Sequence, residues 1–221
     1  MKHRFSLLIL LLILAAATPA AAQNLHLKLG GGLASRYGSD KAVGAYKIGM
    51  GYEVEFDQHW TLTPQLLFYG KGWQDPERAV PVNNDDGTPM LDDNGQQAYS
   101  TMSRSTAACY VELPLMLSYY IRVGEARYIV LSAGPYAALG VNGKIKTRGD
   151  GSRIGSEKLF YSSPTFGHEG LRRFDAGIQS FAGYQFGSGL ILGMEADWGL
   201  VKTRRNGKRN LSGLISLSYK F

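Results

Sequence analysis

The sequence predicts an all-β chain folded as an eight-stranded antiparallel up-and-down transmembrane β-barrel, with short periplasmic turns and longer extracellular loops. Three observations lead there. Apolar and polar residues alternate with a period of two through most of the chain. The connections between these segments are short and long in turn, and the charges fall on one face only.

The first residues stand apart from this pattern. Lys2, His3 and Arg4 precede an apolar run over 5–17, which Thr18 and Pro19 break before Ala20, Ala21 and Ala22. Basic, apolar and small-residue regions in that order form a secretory signal peptide. The run is too short for a membrane-crossing helix, which needs about 20 residues. The expectation is therefore a signal peptide over 1–22, export through the Sec pathway, and a mature barrel domain over 23–221. No cysteine follows the cleavage site, so no lipoprotein anchor is expected, and the lone Cys109 excludes an internal disulfide. Removing Lys2 and Arg4 lowers the formal charge from +6 to +4. An exported protein does not meet nucleic acid, so that basicity is no argument for such a partner.

Eight segments alternate. In 25–35, Leu25, Leu27, Leu29 and Leu33 oppose His26 and Lys28. In 44–56, Tyr46, Ile48, Met50, Tyr52, Val54 and Phe56 oppose Lys47, Gly49, Gly51, Glu53 and Glu55. In 60–73, Leu62, Leu66 and Phe68 oppose Thr61, Thr63, Gln65, Tyr69 and Lys71. Segment 106–121 sets Val111, Leu113, Leu115, Leu117 and Tyr119 against Tyr110, Glu112, Ser118 and Tyr120. Segment 128–141 is apolar on both faces. Segment 172–186 sets Phe174, Ile178 and Tyr184 against Arg173, Asp175, Gln179 and Gln185. In 190–201, Leu190, Leu192, Met194, Trp198 and Leu200 oppose Glu195 and Asp197. The last segment, 210–221, sets Leu211, Gly213, Ile215, Leu217, Tyr219 and Phe221 against Ser212, Leu214, Ser216, Ser218 and Lys220.

Short connections follow the second, fourth and sixth segments (57–59, 122–127, 187–189); long ones follow the first, third, fifth and seventh (36–43, 74–105, 142–171, 202–209). Outer-membrane barrels sort their turns in this way, with the short ones in the periplasm. Period two alone does not say which face is outward, since a soluble barrel turns its apolar face in and a membrane barrel turns it out. The charges decide. Lys28, Lys47, Glu53, Glu55, Lys71, Glu112, Arg173, Asp175, Glu195, Asp197 and Lys220 all share the polar face. Their signs nearly balance, as a closed lumen requires. Gly49, Gly51, Gly177, Gly183 and Gly193 on that face relieve crowding in a narrow interior, and aromatics near the segment ends fit interfacial girdles.

Leu217, Tyr219 and Phe221 resemble the terminal strand that the barrel-assembly machinery recognises, the alternative being a strand that simply stops on an aromatic residue. The whole mature chain resembles the PorT-like outer-membrane β-barrel proteins, often grouped only as porin family. The resemblance rests on YVELPLMLSY from Tyr110 to Tyr119, LSAGPY from Leu131 to Tyr136, FDAG from Phe174 to Gly177, and SYKF from Ser218 to Phe221. It implies the fold and a cell outer-membrane location, and named members assist secretion across the envelope. Pro64, Pro114 and Pro135 lie inside proposed strands, where proline cannot donate to a ladder; Pro64 is expected near the periplasmic rim, and the other two imply bulges or missing bonds.

Eight strands enclose a lumen just wide enough for side chains, so porin here does not mean a wide pore. The lumenal carboxylates read as a salt-bridge network rather than a general acid/base pair. Among the mature histidines, His26, His59 and His168, only His168 is expected at the outer side, near Ser162, Ser163 and Glu169, and no spacing there fixes a nucleophile–base contact. Asn83 to Gly87 and Asp92 to Gly95 could hold Ca²⁺ but lack the 12-residue loop, and read as Asx-Gly turns on a hairpin rising above the membrane. No cofactor or metal is expected. Lys202, Arg204, Arg205, Lys208 and Arg209 form the most basic run, on the outer side, with Lys144, Lys146, Arg148 and Arg153 on a neighbouring loop. That run either contacts lipopolysaccharide phosphates or is a solvated charged loop; spacing does not choose. The reading is a non-enzymatic outer-membrane barrel with a structural or interaction role, whose outer loops meet lipid, lipopolysaccharide or protein partners. A small-solute channel is the alternative, and a lipid A-modifying enzyme a third.

Overall fold

The computed structural model describes residues 24–38, 40–84, 86–149, 160–167 and 171–221. The proposed signal peptide lies outside them. Ten strands follow in chain order: β1 (Leu25–Arg36), β2 (Val43–Tyr52), β3 (Val54–Glu55), β4 (Trp60–Pro81), β5 (Tyr99–Gly124), β6 (Arg127–Arg148), β7 (Phe160–Pro164), β8 (Phe174–Gln185), β9 (Leu190–Lys202) and β10 (Arg209–Lys220). All pairings are antiparallel, and β2 with β3 forms one interrupted stave. With β7 set aside, eight staves close a ring, because β1 pairs both β2 and β10 while β2 pairs β4. The ring is the expected eight-stranded up-and-down barrel.

The apolar residues point out. Leu29 is 56% exposed, Met194 70% and Ile215 64%, whereas Lys47 and Glu112 are fully buried. Water would penalise such an inverted distribution, and hydrocarbon around the staves demands it. At the short-turn rim aromatic pairs cluster, with Trp60 on Tyr119, Tyr184 on Phe186 and Tyr219 on Phe221. The Asp57 carboxylate closes one short turn by accepting from the backbone N–H groups of His59 and Trp60, which hold it below the usual carboxylate range.

The prolines cost ladder bonds without changing register. Pairing between β4 and β5 steps from Pro64↔Leu115 to Leu67↔Glu112, and between β5 and β6 from Pro114↔Tyr136 to Leu117↔Ala133. Neither gap is a bulge. Gly134 sits where a Cβ would lie 1.9 Å from the Leu115 carbonyl oxygen, so the backbones close the gap by direct approach. Gly177 makes room inside the lumen, where a Cβ would meet the Tyr136 ring at 2.7 Å.

The long connections differ from simple loops. Beyond the ring, β4 and β5 pair from Arg78↔Met102 to Pro81↔Tyr99, β5 and β6 reach Ser103↔Arg148, and β6 takes β7 along Lys144↔Pro164 to Arg148↔Phe160. Four strands thus continue as a sheet standing above the long-loop rim. Backbone N–H and C=O groups above the ring still need partners, and alternation past residue 141 supplies Ile145 and Thr147 to a buried face. The tip folds on itself as expected of a hairpin: Val82 N–H donates to Ala98 O, and Ala98 N–H to Met90 O.

Candidate functional site

Alternation sends every second side chain of each stave into the lumen, and there the charges meet. Lys47 of β2 is the centre. Its Nζ lies 2.5 Å from Glu195 Oε1, 3.0 Å from Glu112 Oε1 and 2.9 Å from Asp197 Oδ2. Lys28 of β1 caps the other oxygen of Glu195. Lys71 of β4 bonds Asp175 of β8 at 2.6 Å and stands 4.0 Å from Glu112. Three ammonium groups therefore face four carboxylates. Neutral donors answer the excess: Ser212 Oγ donates to Asp197 at 2.8 Å, Asn210 Nδ2 to Asp175 at 2.9 Å, and Gln179 to Glu195. Tyr69, Tyr110 and Tyr136 pack their rings 4.7–5.2 Å from Lys71 Nζ, a cation–π cage that fills the remaining cross-section.

Two smaller clusters flank this plug. Toward the short turns, Glu53 accepts from Tyr120 OH at 2.6 Å, faces His26 Nε2 at 3.2 Å and pairs with Lys220. Glu55 was expected in the lumen but stands exposed at the mouth, 2.9 Å from Lys220, because its stave ends there. Above Glu53 lies a cavity of ≈ 40 Å³ lined by polar groups including Thr63, Gln65 and Ser118, enough for a few waters but not for a path through the plug. Toward the long loops, Arg36 bridges Asp40 and Asp75 at 2.5 Å each and stacks on Trp73 at 4.2 Å. Sequence reasoning did not single out Arg36, whose alternation parity with Lys28 was the available signal.

Arg173 is a correction. It was assigned to the lumen, but β8 begins one residue later, and the exposed guanidinium donates to the carbonyls of Gly140 and Val141 at 2.9 and 3.4 Å. Lys208, in the basic run, stays partly exposed with its Nζ 2.6 Å from Asp40. Lys202, Arg205 and Arg209 are exposed and Arg204 is half-buried. Leu217, Tyr219 and Phe221 project outward from β10, with Phe221 N–H donating to Leu25 O across the closing seam.

Of the histidines, His26 faces Glu53 and His59 stacks on Tyr119, both at the short-turn end. His168 and Glu169 lie outside the described residues, as does Arg153. The two Asx-Gly segments are turns: Asp86 accepts from Thr88 N–H, Asp92 from Asn94 and Gln96 N–H, and Gly87 and Gly95 take φ of +83° and +73°.

A family model described as outer membrane protein beta-barrel domain matches residues 22–204. No curated protein matches the chain. Among solved structures, the chain is similar to Ail, the attachment invasion locus protein of Yersinia pestis, at 12% identity and a TM-score of 0.41, covering 90% of this chain and 97% of that one. It is also similar to Neisserial surface protein A at 10% identity and a TM-score of 0.38, covering 89% and 96%. The outer membrane enzyme PagL is matched at 11% identity and a TM-score of 0.42, covering 89% and 99%.

Proposed function

For a chain that belongs to the outer membrane protein beta-barrel domain family, we propose a non-enzymatic barrel that acts through its outer surface and not through its lumen. The observation that carries this is the plug. Lys47, Glu112 and Tyr69 are fully buried at mid-barrel, and a hydrated ion crossing that level would have to displace the ion pairs on Lys47. The sheet built from the ends of β4, β5 and β6 with β7 stands above the rim and suits an interaction platform. The PorT-like resemblance points to assistance in secretion as the process served. Among the described residues the two histidines, His26 and His59, both sit at the end opposite the long loops.

Planar-bilayer recording of the refolded protein tests this reading. Silence is expected, and reproducible unitary openings would replace the reading with a small-solute channel. Turnover of lipid A in the same preparation would instead favour an enzyme.

A further inference from the structure

The cations at the long-loop rim divide into two sectors. Around β1, β2 and β4, Arg36, Lys41 and Lys208 are each paired with Asp40, Asp75 or Glu77. Around β6, β8, β9 and β10, which are consecutive in the ring, Lys144, Lys146, Arg148, Arg172, Lys202 and Arg209 are exposed, and among the described residues no carboxylate pairs with any of them.

Their aim is set by the backbone. In β6 the pairing shifts from Tyr110↔Gly140 to Cys109↔Asn142, leaving Val141 as an extra residue. Before this bulge Leu139 and Val141 face outward; after it Ile145 and Thr147 are buried, and Lys144, Lys146 and Arg148 point out. Had alternation run through Val141 without the bulge, these cations would point inward. Lys202 keeps the outward parity of Trp198 and Leu200, and Arg172 is exposed just before β8 begins. Lys202 and Arg209 are directly opposed across the β9–β10 ladder, an arrangement of like charges that repels unless an anion lies between them. Lys144, Arg172, Lys202 and Arg209 stand about 7–10 Å beyond the last outward apolar residue of their staves, two or three residues at about 3.4 Å each, while Lys146 and Arg148 continue up the same face of β6 about 7 and 14 Å beyond Lys144.

We infer that this arc binds the phosphate groups of phosphorylated glycolipid headgroups in the outer leaflet. The inference rests on the membrane-embedded reading above. Phosphate oxygens fit both guanidinium forks and ammonium groups. Position selects lipid over a protein partner, because Lys144, Lys202 and Arg209 overhang the apolar band where lipid is the neighbour.

The test uses the refolded barrel in maltoside micelles, titrated with lipid A bearing both phosphates and with the same lipid dephosphorylated, binding being read by native mass spectrometry. The phosphorylated lipid should bind about tenfold or more tightly than the dephosphorylated one. Lys202→Gln with Arg209→Gln, or Lys144→Gln with Lys146→Gln and Arg148→Gln, should erase most of that preference, while Arg127→Gln at the opposite rim should keep it. Equal affinity of wild type and both rim variants would overturn the inference, as would inorganic phosphate binding as tightly as the lipid. Heat-modifiable migration checks that each variant folds, and Lys202→Gln alone carries the comparison if a multiple variant does not. Flotation with vesicles tests embedding separately: a barrel that floats but shows no phosphate preference defeats the arc and leaves the membrane reading standing.

Discussion

Lys47 and Lys146 carry the same side chain in opposite circumstances. Lys47 is enclosed by three carboxylates in the lumen, while Lys146 stands exposed on the outer face of β6 with no acidic partner among the described residues. One is held by protein, the other is offered to the surroundings. The difference teaches that a barrel of this kind sorts charge by depth and by face. Inside, desolvation makes pairing obligatory. At the rim, water and headgroups solvate a cation, so pairing is optional and its absence informative.

The comparison is broken most severely at its centre. Lys47→Leu leaves Glu112, Glu195 and Asp197 facing one another, and should destabilise the refolded barrel by at least about 3–5 kcal/mol, the cost of orphaning a buried charge. Urea unfolding in lipid vesicles measures this. A neutral effect would show that water reaches the plug freely. Glu195→Leu removes the shared acid of Lys28 and Lys47 and should cost about 3–5 kcal/mol. Leu192→Ala on the same stave faces lipid, leaves no trapped cavity, and should cost about 2 kcal/mol, the transfer term alone. If Leu192→Ala were the more damaging of the two, the inward assignment of the charged face of β9 would be wrong.

Much of this was legible in the sequence, for a reason visible in β9 and β10. Where alternation runs unbroken, parity alone assigns Glu195, Asp197 and Lys220 inward and Leu192, Ile215 and Leu217 outward. Parity fails at bulges. The outward aim of Lys144, Lys146 and Arg148 depends on one extra residue at Val141, which is a property of pairing with β5 and leaves no mark in β6 alone. Arg173 was misplaced for a related reason: a strand end is set by its partner's last bond, so counting back one residue too far turns a rim side chain into a lumenal one. Which cation meets which acid was also illegible, because those distances run across the lumen and not along the chain.

Smaller effects sharpen the contrast. Deleting Phe221 should lower the amount of assembled barrel severalfold while export continues, as read by heat-modifiable migration in membrane fractions. Unchanged levels would show that the exposed terminal ring is not an assembly signal. Lys146→Gln should alter stability by no more than about 0.5 kcal/mol, as for surface positions generally. A loss as large as that of Glu195→Leu would mean that Lys146 is held by the protein after all.

The plug has a consequence for how the barrel comes to exist. Lys28 is on β1 and Glu195 on β9; Lys47 is on β2, with its acids on β5 and β9; Lys71 is on β4 and Asp175 on β8. None of these close pairs joins hydrogen-bonded neighbours; the one neighbour-strand contact is the 4.0 Å approach of Lys71 to Glu112. A nascent hairpin of this chain therefore leaves most of the plug's inward charges without their close partners. Those pairs form only when strands on opposite sides of the ring face each other, so drying of the interior is coupled to closure of the ring. Mutations in the plug should consequently slow the last step of assembly while leaving early hairpin formation untouched.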